Sequence, residues 1–446
     1  MNPFLPPSWH IPDGEAHVFG GGLFLYGSCD QSKEQFCSGE YYVAHTRDLC
    51  HWQIGGPSFR AADAPWRGKS QAHSSVSGVK SFDELPQHIR DFLPDSARQI
   101  PIEEIVRAIE ESARKDLPKE TLLYAPDAAQ KNGKTFLYLC MSDDSEGVAV
   151  SDSPAGPFTG AVQLKTDKSG KPITGIDPAV FVDRDGQAYY YWGQFRASCA
   201  RLTPDMTALE EDSIVEGILT EGTHHFHEGS SMRRRGDTYY YVFADSSRGK
   251  PTCLGYATGK SPMGPFTYQG VIIDNAGCDP GAWNNHGSIE EFNGHWYVFY
   301  HRSSGNSQYG RRACMEPIQF NAQGLIAEVK PTSQGAGAPF GPGEAIPGYT
   351  ACEVEGGAYV AEDTLVVPQG GGSALFRYVR CEAPARTLNL SGSGTALVEA
   401  FANGNSVGRG RIEDGTIPIE LPPGTYELKL VFRETRDVEL SALTLE

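Results

Sequence analysis

The feature that most constrains this chain is a pattern that returns five times: a turn glycine, an aromatic strand and a polar end. It reads GGLFLYGSCD from Gly21, GKTFLYLCMSD from Gly133, GQAYYYWGQF from Gly186, GDTYYYVFADSS from Gly236 and GHWYVFYHRSS from Gly294. The last four glycines are 53, 50 and 58 residues apart, and the first gap of 112 leaves room for one extra repeat-length. Self-similarity at this period, with several short strands per unit, predicts an all-β fold built on a five-bladed β-propeller. GVAVSDSPAGPF (147–158) and GYATGKSPMGPF (255–266), with a looser cousin YYVAHTRDLCHW (41–52), read as third strands followed by Pro/Gly outer turns. A β-sandwich, the competing fold, has no reason to repeat its turn chemistry at this spacing.

One polar residue stands six to nine positions before each turn glycine: Asp13, Asp127, Asp177, Glu228 and His286. In a propeller the innermost strands run along the central axis, so equivalent strand starts converge at one end of the channel. Four carboxyls and an imidazole are expected to meet in one funnel. Like charges repel and burial disfavours ionisation, so such crowding marks a functional site.

The chain has 446 residues and a net charge of −18, which argues against nucleic acid or an anionic membrane as partner and leaves a neutral ligand. No apolar run reaches membrane-span length. The start MNPFLPPSWHIPDG lacks the basic and apolar segments of a signal peptide, so the expected location is cytoplasmic. Ten scattered cysteines without CxxC or zinc spacing read as reduced core thiols.

The expected division is a propeller over 1–335, a Gly/Pro-rich linker over 336–349, and a β-sandwich over 350–446. An insertion over about 57–120 follows blade one. Within it, IPIEEIVRAIEESARKD (100–116) has helical periodicity, and the expectation is that it packs on the propeller side rather than forming a rim. Trp66, ahead of that helix, is a candidate to reach the funnel and stack on a sugar. Oligomeric state is not fixed by anything in the sequence.

Hydrolysis of a glycosidic bond needs one carboxyl to protonate the leaving oxygen and another to act on the opposite face. Four motifs follow in order: IPDG in blade one, GIDPAVFVD in blade three, HEGSSMRRRGDTYYY in blade four and NNHGSIEEFNGHWYVFYHRS in blade five, carrying Asp13, Asp177, Glu228 and His286. Over residues 9–330 the sequence resembles glycoside hydrolase family 43, five-bladed propellers that hydrolyse arabinofuranosides and xylosides with inversion. The resemblance implies Asp13 as general base, Asp177 as the carboxylate that tunes and orients, and Glu228 as general acid. A turn or strand-cap carboxylate is the competing reading for each. It also implies that Arg312, with Arg311 the adjacent alternative, contacts the sugar. Asp127 and Trp192 are further sugar-site candidates. His286 matches a channel histidine that in some members helps hold a calcium ion through water. No cofactor is expected for the chemistry itself, and a structural Ca²⁺ in the channel is the one candidate ion. The C-terminal region bears a loose resemblance to family 6 carbohydrate-binding modules, without recognisable binding aromatics. The expected activity is an exo-acting α-L-arabinofuranosidase, with β-xylosidase as the first alternative and a non-catalytic sugar-binding propeller as the second.

Overall fold

The structure, a computed structural model, describes every residue except 33, 68–75, 77–78, 86–88, 91–92, 94 and 116–120. Five antiparallel sheets follow one another round a ring, each starting with an inner strand. The inner strands are Glu15–Phe19, Asp127–Lys131, Ala179–Val182, Phe226–Arg235 and Ser288–Phe292, and the fifth packs back against the first. Gly14 and Gly287 bridge in parallel where the ring closes. Blades one to four have four strands in sequence order, and blade one carries a short fifth strand at its side; blade five has three. The N-terminus lies beside blade five's outer strand, Ser307–Ile318: Phe4 donates to the Ala313 carbonyl, and Asn2 exchanges hydrogen bonds with Met315.

The hairpin turns are made by the residues the repeat marks. Asn132–Gly133 and Asn293–Gly294 both take positive φ (52° and 78°, 53° and 80°), the two-residue geometry that matches strand twist. The aromatic strands are buried on both faces. In Thr238–Asp245, Tyr239, Tyr241 and Phe243 join the core toward blade three, whereas Tyr240 and Val242 join the core toward blade five. That is why these strands read as continuous apolar runs rather than alternating ones.

Each buried tyrosine needs a partner for its hydroxyl, and the repeated outer turns provide it. Tyr26 donates to Pro154 of SPAGPF, and Tyr191 to Pro262 of SPMGPF, in both cases the turn of the next blade. Tyr138 and Tyr240 reach the carbonyls of Met206 and Gly324 in the same way. The turn motif is therefore a blade-to-blade fastener.

The insertion contains the helix Ile102–Lys115, within the expected span. Among the described residues its apolar packing is with the insertion itself, in place of the propeller side expected from the sequence. Ile105 joins Val76, Val79, Leu85 and Ala97 in a small core of the insertion's own. Asp83, Glu84, Leu85 and Arg90 then wall the central cavity, and Glu84 meets Arg196 of blade three at 3.4 Å.

Beyond the ring, nine strands form one antiparallel network around the long strands Ala385–Ala402 and Gly424–Leu445. Bulges at Gly392, Thr395 and Leu397 interrupt their pairing, and alternate side chains enter one apolar core. This region is bonded to blade five. Arg302 donates to Ala351, Gly305 to Val360, and Val354 to Gly277. All ten cysteines are free and nine are buried. No described helix is long and apolar enough to cross a membrane.

Candidate active site

The ring brings Asp13, Asp177, Glu228 and His286 to the wall of one cavity of about 1260 Å³. Asp13, Asp177 and His286 each stand two residues ahead of an inner strand, so the propeller places them at the same height. Asp13 and Asp177 have left-handed backbones, φ 59° and 54°, uncommon for non-glycine residues and concentrated at functional sites. Glu228 is the third residue of Phe226–Arg235, at an irregularity in its pairing that turns the side chain to the cavity. Next to it, a Cβ on Gly229 would come within 3.0 Å of the His286 ring, so glycine there lets the imidazole lie flat on the backbone.

The carboxyls have different surroundings. Asp13 is buried; its Oδ1 is 2.7 Å from Arg311 Nη1 and 3.3 Å from His301 Nδ1, and its Oδ2 accepts from Ser28 at 2.5 Å. Burial would push its carboxyl up, but Arg311, His301 and His286 outweigh it and hold it far below the usual range. Among the described residues Asp177 has no guanidinium in contact, and His286 is its ion-pair neighbour at 3.8 Å. Burial, then the charges of Glu228 and Asp13, push it well above the usual range. Glu228 accepts from neutral amides, Gln194 at 2.7 Å and Asn284 at 3.2 Å. His286 Nδ1 lies 3.9 Å from Asp13 and 3.8 Å from Asp177, and burial lowers its pKa, which favours a neutral ring.

The other expected sugar contacts lie elsewhere. Trp66 is buried between blades one and two, donating to Ser145 at 3.0 Å, and does not reach the funnel. Trp192 packs on Gly175 and Tyr190 in the core of blades two and three, outside the cavity lining. Asp127 is the first residue of its strand, two positions further along than Asp13 in its own blade. It sits one layer deeper, fully buried, with Oδ1 2.6 Å from His17 Nε2 and Oδ2 accepting from Val180. Arg312 points away from the cavity, to the carbonyls of Pro7, Ala361 and Glu362. Arg311, its alternative, lines the cavity beside Asp13, as Arg90 and Arg196 do elsewhere on its wall. Neighbours on a strand face opposite ways, and the spacing in YGRRAC does not say which faces in.

The structure adds residues that sequence reasoning missed. Asp30 takes Arg311 in a two-pronged ion pair, at 2.9 and 3.0 Å, and so aims its remaining nitrogen at Asp13. Phe36 lies under the Arg311 guanidinium at 4.7 Å. Ser28, Asp30, Gln194 and His301 all belong to the polar ends of the repeated pattern, or follow directly on them. An antiparallel hairpin returns those ends to the level where the inner strand began, and that is the signal which would have found them.

Donors for a hard cation exist below the carboxyls. Glu15, His17 and Asp127 place one ligand atom each within 4.8 Å of one another, and Glu15 Oε1 is buried without a hydrogen-bond partner. The two carboxylates, one oxygen of which is unpartnered, offer the oxygen ligands Ca²⁺ takes, while the imidazole does not. The Arg233 guanidinium, 3.2 Å from Glu15, already places one positive charge there.

A five-bladed propeller whose funnel gathers three carboxyls in unlike electrostatic settings is the architecture of a glycoside hydrolase. The comparisons with known proteins agree: the profile of glycosyl hydrolases family 43 matches residues 102–326, and this chain belongs to that family. A xylosidase/arabinosidase of Thermoclostridium stercorarium is 27% identical over 519 residues, spanning all of this chain and 98% of the relative. An arabinoxylan arabinofuranohydrolase of Bacillus subtilis (strain 168) is 34% identical over 251 residues, 46% of this chain and 47% of the relative. Among solved structures, a family 43 β-xylosidase/α-arabinofuranosidase from a compost metagenome, in its calcium-free form with xylotriose, superposes with TM-score 0.54. It is 27% identical, over 74% of this chain and 97% of the other. A Bacillus subtilis arabinoxylan arabinofuranohydrolase shares the fold over 100% of this chain and 97% of its own, with TM-score 0.52 at 22% identity.

Proposed function

We propose that the chain is an inverting, exo-acting pentosidase that releases α-L-arabinofuranose, with β-xylosidase as the second reading. The observation that carries the mechanism is the contrast between Asp13, held ionised by Arg311, and Glu228, whose hydrogen-bond partners among the described residues are neutral amides. An ionised carboxylate suits a base that takes a proton from the attacking water; a carboxyl without a cation partner can carry the proton that the leaving oxygen needs. Arg311 also lowers the basicity of Asp13, so the base works by position more than by proton affinity. Asp177 lies beside both. Burial and the charges of Glu228 and Asp13 push its carboxyl well above the usual range, which favours its protonated form between them. An ion held by Glu15, His17 and Asp127 would supply positive charge below these groups.

The insertion closes one side of the cavity, which supports exo action on a chain end or side branch. The Bacillus subtilis relative at 34% identity is named for arabinose release, which supports arabinose first; relatives named β-xylosidase, such as that of Xylanibacter ruminicola at 28%, support the second reading. A screen of aryl glycosides of arabinofuranose, xylose, galactose and fucose tests the sugar. Proton NMR of the first product, before mutarotation, tests inversion. A retained anomer, or turnover only of a hexoside, would overturn the proposal.

A further inference from the structure

We propose that Trp283 is the platform on which the first ring of the leaving saccharide stacks, a proposal that rests on the reading of Glu228 as the general acid. Among the described residues Trp283 is the one phenylalanine, tyrosine or tryptophan classed as exposed, at 46%, and it lines the same cavity as the carboxyls. An exposed indole on a soluble protein forgoes the burial that most aromatics here achieve, and its flat apolar face suits the C–H face of a pyranose.

Its position says which side of the scissile bond it serves. The next residue, Asn284, donates to Glu228 Oε1 at 3.2 Å. The acid must sit beside the leaving oxygen, so the segment that holds the acid also flanks the departing group. Arg311 and Phe36, beside Asp13 in the same cavity, serve the sugar under attack.

The platform is rigid. Asn285 donates from its backbone to Pro251 at 2.7 Å and from its side chain to Thr252 at 3.0 Å, and Asn275 ties down the Asn284 carbonyl at 2.9 Å. Lys250 Nζ lies 5.6 Å from the indole centroid and donates to the Ala282 carbonyl. A preorganised aromatic costs little entropy when a ligand binds. For arabinose or xylose cleaved from a xylan-type chain, the stacked residue is a xylopyranose of the part that leaves.

The test compares wild type, Trp283→Ala and Trp283→Phe on two substrates of the same released sugar, an oligosaccharide and the glycosyl fluoride, which has no leaving ring. The expected result is that the oligosaccharide-to-fluoride ratio of kcat/KM falls roughly tenfold in Trp283→Ala, chiefly through KM, as one lost stacking contact would give. Trp283→Phe should recover part of it. An unchanged ratio overturns the proposal. As a second measurement, xylotriose added to the Glu228→Gln enzyme should quench tryptophan fluorescence, and the quench should vanish when Trp283→Phe is added; a quench that persists also overturns it. If wild type cleaves neither substrate, the proposed reaction falls, while the quenching result still decides the platform.

Discussion

Arg311 Nη1 stands 2.7 Å from Asp13 Oδ1, while Arg312, the next residue on the strand, donates to carbonyls of the N-terminal segment and the C-terminal region. Two adjacent arginines therefore have separable effects. Arg311→Met leaves Asp13 a buried carboxylate without its cation, at a cost of about 3–5 kcal/mol in stability. Its carboxyl then rises toward and past the usual range, so the acidic limb of the pH–rate profile should move up. Arg312→Met should lower the melting temperature with no movement of that limb. Identical pH profiles for the two variants would mean that Arg311 does not set the state of Asp13.

The contacts to blade five make the C-terminal region part of the propeller's stability. Arg302 and Arg312 are both nearly fully buried and bond to carbonyls of Ala351, Ala361 and Glu362. Ending the chain near residue 345 removes those acceptors, leaving Arg302 the Cys278 carbonyl and Arg312 the Pro7 carbonyl, and strips the cover from blade five; lost charge-assisted bonds and burial are expensive. We expect the truncated protein to melt well below the full chain or to precipitate. Sedimentation with insoluble arabinoxylan distinguishes this from a sugar-binding role. A truncated protein of undiminished melting temperature that no longer sediments with the polysaccharide would reverse the conclusion.

Glu146 gives a pH-dependent term in stability. It is fully buried, one oxygen accepts from the Tyr190 hydroxyl and the other has no partner. Burial, reinforced by Asp144, pushes its pKa up from 4.5 to about 8, against the smaller pull of Tyr190. The folded state thus keeps a proton that the unfolded chain gives up above its ordinary pKa. The stabilisation is full below pH 4.5, declines as pH rises, and is gone above about 8. Glu146→Gln should flatten the fall in stability across that window, measured by denaturant titration at several pH values. A slope equal to wild type would exclude Glu146 as its source.

The cluster of Glu15, His17 and Asp127 makes calcium testable without activity. Binding of Ca²⁺ to the folded state alone should raise the melting temperature with concentration, and Glu15→Gln should abolish the rise. Unchanged melting on chelation and on adding calcium would leave Arg233 as the one cation the channel needs.

Much of this was legible in the sequence because propeller repeats are local: each turn, aromatic strand and strand-start acid sits within one short stretch. Asp13, Asp177, Glu228 and His286 followed from position alone. Asp127 shows the limit. A count back from the turn glycine tolerates a shift of two residues, and along a strand that is about 6.8 Å, a whole layer of the channel. Trp66 and Trp192 show another. Tryptophan is as useful between blades as in a sugar site, and only packing against Gly147 or Gly175 tells which. Trp283 went unremarked because it lies in a loop without a repeat partner.

The last prediction separates the carboxyl roles. Glu228→Gln keeps the shape of the side chain and one of its two accepted hydrogen bonds but cannot deliver a proton, so it should lose a factor of roughly 10² or more on oligosaccharides, the usual worth of acid catalysis. A dinitrophenyl leaving group departs without a proton and should restore much of the rate. Asp13→Asn removes the group that takes a proton from water, a need no leaving group relieves, and should be weak on both substrates. Asp177→Asn removes the buried carboxyl that stands beside both Asp13 and Glu228, and it should lower kcat/KM on both substrates without rescue by the better leaving group. Rates on natural and activated substrates, measured for all three variants, check the scheme together. If Glu228→Gln is impaired equally on both while Asp13→Asn is rescued by the better leaving group, the two roles are reversed.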